Sequence, residues 1–145
     1  MSKPLIFLVD DEVPFVDTTT KRLEKRDIHV LKAFSGEEAL EGLNTHRNTD
    51  VVILDVKMPG MDGIETLQRI RQAYPLTEVI MLTGHATVES AIEGMKLGAY
   101  DYLMKPCDIE QLVQKIQEAA EKKRNHEEKI REAKVREALS MHGIE

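Results

Sequence analysis

The chain has 145 residues, which suits one domain with a sizeable core and leaves little room for a second independently folding unit. Its 20 Lys and Arg against 26 Asp and Glu give a net charge of −6, so the overall field repels nucleic-acid backbones and direct nucleic-acid binding is not expected. A single cysteine, Cys107, excludes an internal disulfide, and no apolar run approaches the roughly 20 residues needed to span a bilayer.

The first strand candidate, Leu5 to Val9, runs straight into Asp10, Asp11 and Glu12. A secretory leader needs a longer apolar stretch behind a basic lead, so a cytoplasmic protein is expected. Pro14 fits the first turn of a helix carrying Phe15, Val16, Thr19 and Leu23, because proline there forfeits no helical hydrogen bond. Ile28 to Ala33 reads as the second strand. Ser35 with Glu38 predicts a capping box ahead of Ala39, Leu40 and Leu43. The third strand, Val51 to Leu54, ends at Asp55, and Pro75 closes the helix after it. Val79 to Leu82 ends at Thr83; the next helix is predicted to turn Val88, Ile92, Met95 and Leu97 inward and to stop at Gly98. Tyr100 to Met104 leads into Lys105 and Pro106. Residues 118–137 are nearly continuous helix formers, with Glu127–Arg131 and Glu132–Arg136 at favourable spacing, so the last helix is expected to outrun the domain.

Strands such as Val51-Val52-Ile53-Leu54 are apolar on both faces, as in a parallel sheet covered by helices on both sides. The expected fold is a doubly wound α/β sheet. In such sheets ligands bind at the carboxyl ends of the strands, where this chain places Asp10, Asp11, Asp55, Thr83 and Lys105. Any one of these alone reads equally as a cap, turn former or surface charge. Together they form a constellation. Crowded carboxylates repel unless a cation or a proton neutralises them, and Mg²⁺ takes oxygen ligands while keeping waters or a phosphoryl oxygen in its shell. A carboxylate can be the nucleophile that takes a phosphoryl group, with a lysine ammonium and a threonine hydroxyl serving its oxygens.

These residues resemble the receiver domain of two-component response regulators, from Lys3 to about Lys122. The resemblance matches Asp10-Asp11 to the family's acidic pair, Asp55 to its phosphoacceptor, Thr83 to its hydroxyl residue and Lys105 to its lysine. Met58-Pro59-Gly60-Met61-Asp62-Gly63 and Gly98-Ala99-Tyr100-Asp101-Tyr102 are supporting marks. It implies a flavodoxin-like strand order 2-1-3-4-5 and a cis Lys105-Pro106 bond. It also implies Mg²⁺, or alternatively Mn²⁺, held by Asp10, Asp11, Asp55 and the backbone carbonyl of Lys57. Tyr102 matches the family's switch aromatic, moving with Thr83 to repack the face of helix four, strand five and helix five. Lys57 and His85 occupy positions that tune phosphoryl lifetime in the family, with solvated side chains as the plain alternative. The implied partners are a sensor histidine kinase or phosphotransfer protein, and the implied role is a phospho-accepting switch with slow self-dephosphorylation rather than an enzyme.

The expected division is a receiver at 1–122 and a helical extension at 123–145 similar to the linker of nitrogen-regulation-class regulators. No phosphate loop or DNA-binding helix pair follows, which leaves a single-domain regulator and a piece of a longer one both open. Heptad spacing from Ile109 meets Lys123 and His126 on its seam, so a homodimer through this helix and a simple solvated helix stand level. A haloacid-dehalogenase-type phosphatase would need an acid where Lys57 stands, and a flavodoxin-like cofactor binder a phosphate loop where Asp10-Asp11-Glu12 stands. A phosphorylation-independent scaffold would have lost an acid or the lysine, and neither is lost.

Overall fold

The computed structural model describes residues 3–141. Among these, five strands alternate with five helices: β1 Leu5–Val9, α1 Val13–Glu24, β2 His29–Ala33, α2 Gly36–Thr45, β3 Val51–Leu54, α3 Gly63–Ala73, β4 Glu78–Thr83, α4 Val88–Lys96, β5 Asp101–Met104 and α5 Ile109–Met141. The sheet is parallel throughout, in the order β2-β1-β3-β4-β5, so the chain winds outward in both directions from β1. That is the expected doubly wound fold. The cis Lys105-Pro106 bond is present as well.

Strand side chains alternate between two cores. Ile6, Leu8, Ile53 and Ile80 pack with Val16 and Leu23 of α1 and Leu112 and Ile116 of α5. Phe7, Val52, Leu54 and Met81 pack with Leu43 of α2 and Leu67 and Ile70 of α3. Each such fully buried side chain contributes roughly 1.5–3 kcal/mol, which is why β3 and β4, buried on both faces, carry runs without alternation. Ser35 caps α2 by accepting from the Glu38 N–H at 3.1 Å, but the returning Glu38 carboxylate accepts from Phe34 N–H at 3.4 Å, one residue before the cap.

Helix α4 departs from expectation. Val88, Ile92 and Met95, predicted to face the core, are 77%, 50% and 46% exposed, and the buried position is Gly94. At 3.6 residues per turn, Ser90 and Gly94 lie on the face roughly opposite that apolar stripe. They meet the ring of Tyr102, so the aromatic on β5 fills the space a core side chain of α4 would need.

Helix α5 also differs. Lys123, which interrupts the apolar seam, is itself 4% exposed, because buried Asp50 just before β3 faces it at 3.3 Å. Asp50 further accepts from the Leu5 N–H at 2.9 Å and from the Arg124 guanidinium at 3.2 and 2.9 Å. Buried Glu78, at the start of β4, pairs with Lys122 at 3.5 Å and Arg71 at 3.9 Å. The helix is thus anchored to the sheet through Arg124, and residues 125–141 are exposed.

Candidate functional site

The ladder continues one residue past the central strands: Asp10 N–H donates to Ala33 O at 3.1 Å, and Asp55 N–H to Val9 O at 3.1 Å. Both carboxylates are therefore set side by side by backbone pairing, 1% and 3% exposed. With exposed Asp11 they offer oxygens that all lie within 4.8 Å of one another. Asp10 Oδ1 accepts from the Glu12 N–H at 2.9 Å. Asp55 Oδ1 is buried with no hydrogen-bond partner among the described residues.

Lys105 leaves β5 by donating its N–H to Thr83 O at 2.9 Å, which aims it toward β1. Its ammonium sits 2.6 Å from Asp10 Oδ2 and 3.1 Å from Glu12 Oε1, over the Phe15 ring at 4.0 Å. Thr83 is fully buried, and its hydroxyl oxygen accepts from the His85 N–H at 3.0 Å. The loop after β3 is held close by Gly63, whose N–H donates to Val56 O at 2.7 Å. A side chain there would stand 2.0 Å from Asp55 O. Asp62 caps α3 behind it, accepting from the Glu65 N–H at 2.9 Å.

Electrostatically the site is short of positive charge. Burial pushes the Asp10 carboxyl above its ordinary range; bonds from Lys105 and the Glu12 N–H oppose this, and the Asp55 charge reinforces it. Burial also works against the Lys105 charge, but its bonds to Asp10 and Glu12, with the Asp10 and Asp55 charges, outweigh it and push the ammonium up. The Lys105 ammonium pairs with Asp10 and Glu12, which leaves Asp11 and Asp55 without an ion pair among the described residues. A buried carboxylate oxygen lacking a donor, beside two further acids, fits a hard oxygen-seeking cation such as Mg²⁺.

Asp11, Glu12, Asp55, Lys57, Met58 and His85 line an open cleft of about 470 Å³. Lys57 and His85 themselves are exposed. A larger cavity of about 640 Å³ lies at the amino end of β1, but the cations around it are engaged: Lys3 by Asp27, Arg26 by Glu110 and Arg124 by Asp50. The five singled-out residues do meet at the strand ends. Tyr102 lies apart, half-buried, with its hydroxyl 2.7 Å from Ser90 Oγ. Sequence alone does not single out Glu12, Phe15 or Ser90. Glu12 carried a signal, as a third acid in a row; for the other two, helical position gives no hint of what they touch.

A doubly wound parallel sheet with three clustered carboxylates, a buried threonine and a lysine at its carboxyl edge defines a phosphorylation-responsive signalling domain. The chain belongs to the response regulator receiver domain family, whose model matches residues 6–117. It is 34% identical over 119 residues to the DNA-binding transcriptional regulator NtrC of Klebsiella pneumoniae, covering 82% of this chain and 25% of that one. It is 36% identical over 138 residues to the transcriptional regulatory protein YesN of Bacillus subtilis, covering 92% and 37%. A crystal structure of a receiver domain protein from Clostridium thermocellum superposes with a TM-score of 0.80 at 37% identity, covering 83% and 97%. The chain thus spans between a quarter and two fifths of the curated regulators' length. It is a receiver domain of the two-component kind, a signalling switch, and none of its described helices is long and apolar enough to cross a membrane.

Proposed function

We propose that Asp55 is the phosphoacceptor, taking its phosphoryl group from a phosphohistidine of a sensor kinase or phosphotransfer protein. The observation that carries this reading is the buried, unpartnered Oδ1 of Asp55 within a three-carboxylate cluster. An Asp55 oxygen attacks phosphorus, the bond from phosphorus to the kinase imidazole nitrogen breaks, and the imidazole leaves with that electron pair. Asp10, Asp11, Asp55 and the Lys57 carbonyl would hold Mg²⁺ or Mn²⁺, which when bound supplies positive charge against the phosphoryl oxygens. Lys105 exchanges its Asp10 partner for a phosphoryl oxygen, and the Thr83 hydroxyl turns to donate to another.

Tyr102 then follows Thr83 inward, and the α4-β5-α5 face repacks to control a partner or an attached output domain. Water slowly hydrolyses the acyl phosphate, so the domain is a switch rather than an enzyme with turnover. Lys57 and His85, on the cleft wall, adjust that rate. The receiver occupies 1–122 and residues 123–141 are a linker helix, exposed from 125 onward and available for a homodimer, while 142–145 of the expected extension lie outside the described residues. The setting is the cytoplasm, without direct nucleic-acid or membrane contact. Acetyl phosphate with Mg²⁺, read by intact mass, should add one phosphoryl group to the protein and none to Asp55→Asn. Equal labelling of both would remove Asp55 from the role.

A further inference from the structure

Helix α4 has an unusual attachment to the sheet. Its apolar stripe, Val88, Ile92 and Met95, points to solvent, and the face toward the sheet presents Ser90 to Tyr102 and Gly94 to Tyr102 and Met81. An added Cβ on Gly94 would lie 3.6 Å from the tyrosine ring, in ordinary contact, so the helix rests on the ring edge there. Four residues earlier Ser90 Oγ stands 2.7 Å from the Tyr102 hydroxyl. This polar contact adds to the packing of Gly94 and Leu97 against the sheet-side core.

Ser90 is also built into the start of the helix. Its N–H donates to Thr87 Oγ1 at 3.0 Å, its Oγ accepts from the Thr87 N–H at 3.1 Å, and its hydroxyl reaches Thr87 O at 3.1 Å. A serine hydroxyl has one proton and two lone pairs. The Thr87 hydroxyl stands 2.9 Å from the same oxygen, so four polar neighbours share one proton and two lone pairs, and in the Tyr102 contact either hydroxyl can donate. Thr87 follows directly on the loop that begins at Thr83, whose own hydroxyl oxygen is tied to the His85 N–H at 3.0 Å. The cap of α4 and the Tyr102 hydroxyl thus form one set of bonds, which begins two residues along the chain from the His85 N–H held by Thr83.

We infer that Ser90 is a latch: its hydroxyl holds Tyr102 in the half-buried position seen here and fastens that position to the first turn of α4. Ser90 acts through Tyr102 and touches no reacting group, so it is a positioning residue for the switch. The inference rests on the reading of Asp55 and Tyr102 above. A contact made only in the resting conformation lowers the apparent affinity of any ligand that prefers the other one, because the ligand can bind only after the contact is broken. One neutral hydrogen bond is enough to shift such an equilibrium by about two- to tenfold.

The test uses the full chain with Mg²⁺ and beryllofluoride, a phosphoryl mimic, titrated by calorimetry into wild type, Ser90→Ala, Tyr102→Phe, the double variant and Ser90→Thr. Each single variant should bind about two- to tenfold more tightly, the double no more tightly than the singles, and Ser90→Thr, which keeps the hydroxyl, like wild type. Unchanged singles would overturn the latch. So would additive effects of Ser90→Ala and Tyr102→Phe, since a serine that only caps α4 has no reason to couple to the tyrosine hydroxyl. Ring resonances of Tyr102 in the ligand-free protein read the latch separately, because Ser90→Ala should move and broaden them. Unmoved resonances reject the latch even if beryllofluoride binds, whereas moved resonances with no beryllofluoride binding support the latch and reject the phosphoacceptor reading.

Discussion

The buried acids at the amino ends of the strands give a sharp asymmetry to test. Lys123 is 4% exposed and its ammonium has two carboxylate partners, buried Asp50 at 3.3 Å and half-exposed Glu127 at 3.1 Å. Asp50 has more: besides Lys123 it holds the Leu5 N–H at 2.9 Å and the Arg124 guanidinium at 2.9 Å. Removing Asp50 as Asp50→Ala leaves a buried ammonium with one solvent-screened partner and an unpaired strand N–H, and breaking a buried pair this way costs about 3–5 kcal/mol. Removing Lys123 as Lys123→Met keeps an apolar stem of similar length and leaves Asp50 with its guanidinium and its N–H. That change should cost about 1 kcal/mol or less.

Urea titrations followed by far-UV circular dichroism, with thermal melts alongside, separate the two. At roughly 2–4 °C per kcal/mol for a chain near this size, Asp50→Ala should lower Tm by about 10 °C and Lys123→Met by no more than about 4 °C. In the double variant part of the Asp50→Ala loss should return, because no charge is then stranded. Equal losses for the two single variants would show that Lys123 is not held by Asp50 as a dependent cation, and the account of α5 anchoring would fall with it.

Two further outcomes follow from the site. Gly63→Ala puts a methyl 2.0 Å from Asp55 O, against backbone that cannot swing aside, so the loop must shift. It should cost about 2–4 kcal/mol in urea titration and slow labelling by acetyl phosphate several-fold; a silent Gly63→Ala would mean the loop is not pinned to Asp55. Asp10 supplies a pH signature in metal-free protein. Its folded-state pKa is raised above the ordinary 3.8, so between those values the folded chain keeps a proton that the unfolded chain has lost. By linkage this contribution makes stability fall as pH rises through that window. The stability difference between Asp10→Asn and wild type should therefore move in favour of Asp10→Asn from about pH 4 upward and then level off. A difference independent of pH between 4 and 8 would contradict the raised value.

What could be read in advance divides by physical cause. The doubly wound class and the strand-end acids were legible because uninterrupted apolar strands and residue types at their carboxyl ends follow from local chemistry, whereas the sheet order came only with the resemblance to receiver domains. Helix α4 was misread for the same reason that periodicity usually works: Val88, Ile92 and Met95 keep a perfect helical stripe, yet which face turns inward is decided by a residue on another element, Tyr102. Lys123 was likewise judged a flaw in an apolar seam, since nothing in its neighbourhood says that Asp50, 73 positions away, is buried opposite it. The parking of Lys105 between Asp10, Glu12 and the Phe15 ring has a similar origin. Type and spacing bring a lysine to the edge of the site, but its resting partner depends on packing across strands.

The two ends of the sheet are opposite electrostatic designs, and the contrast bears on how a signal leaves the domain. At the amino ends, Asp50 and Glu78 are each met by more than one cation, so the network is satisfied and α5 has a fixed point at Lys122-Lys123-Arg124. At the carboxyl ends, Lys105 pairs with Asp10 and Glu12, Asp11 and Asp55 have no ion pair among the described residues, and Asp55 Oδ1 has no donor among them. Added positive charge or a phosphoryl group changes the balance only at the second end. Helix α5 starts four residues after Lys105 and crosses the domain to the clamp, so a displacement of the Lys105 loop acts on a rod already held at its far side. A rod fixed at one end and pushed at the other tilts. Such a tilt would carry the exposed portion, residues 125–141, relative to the domain.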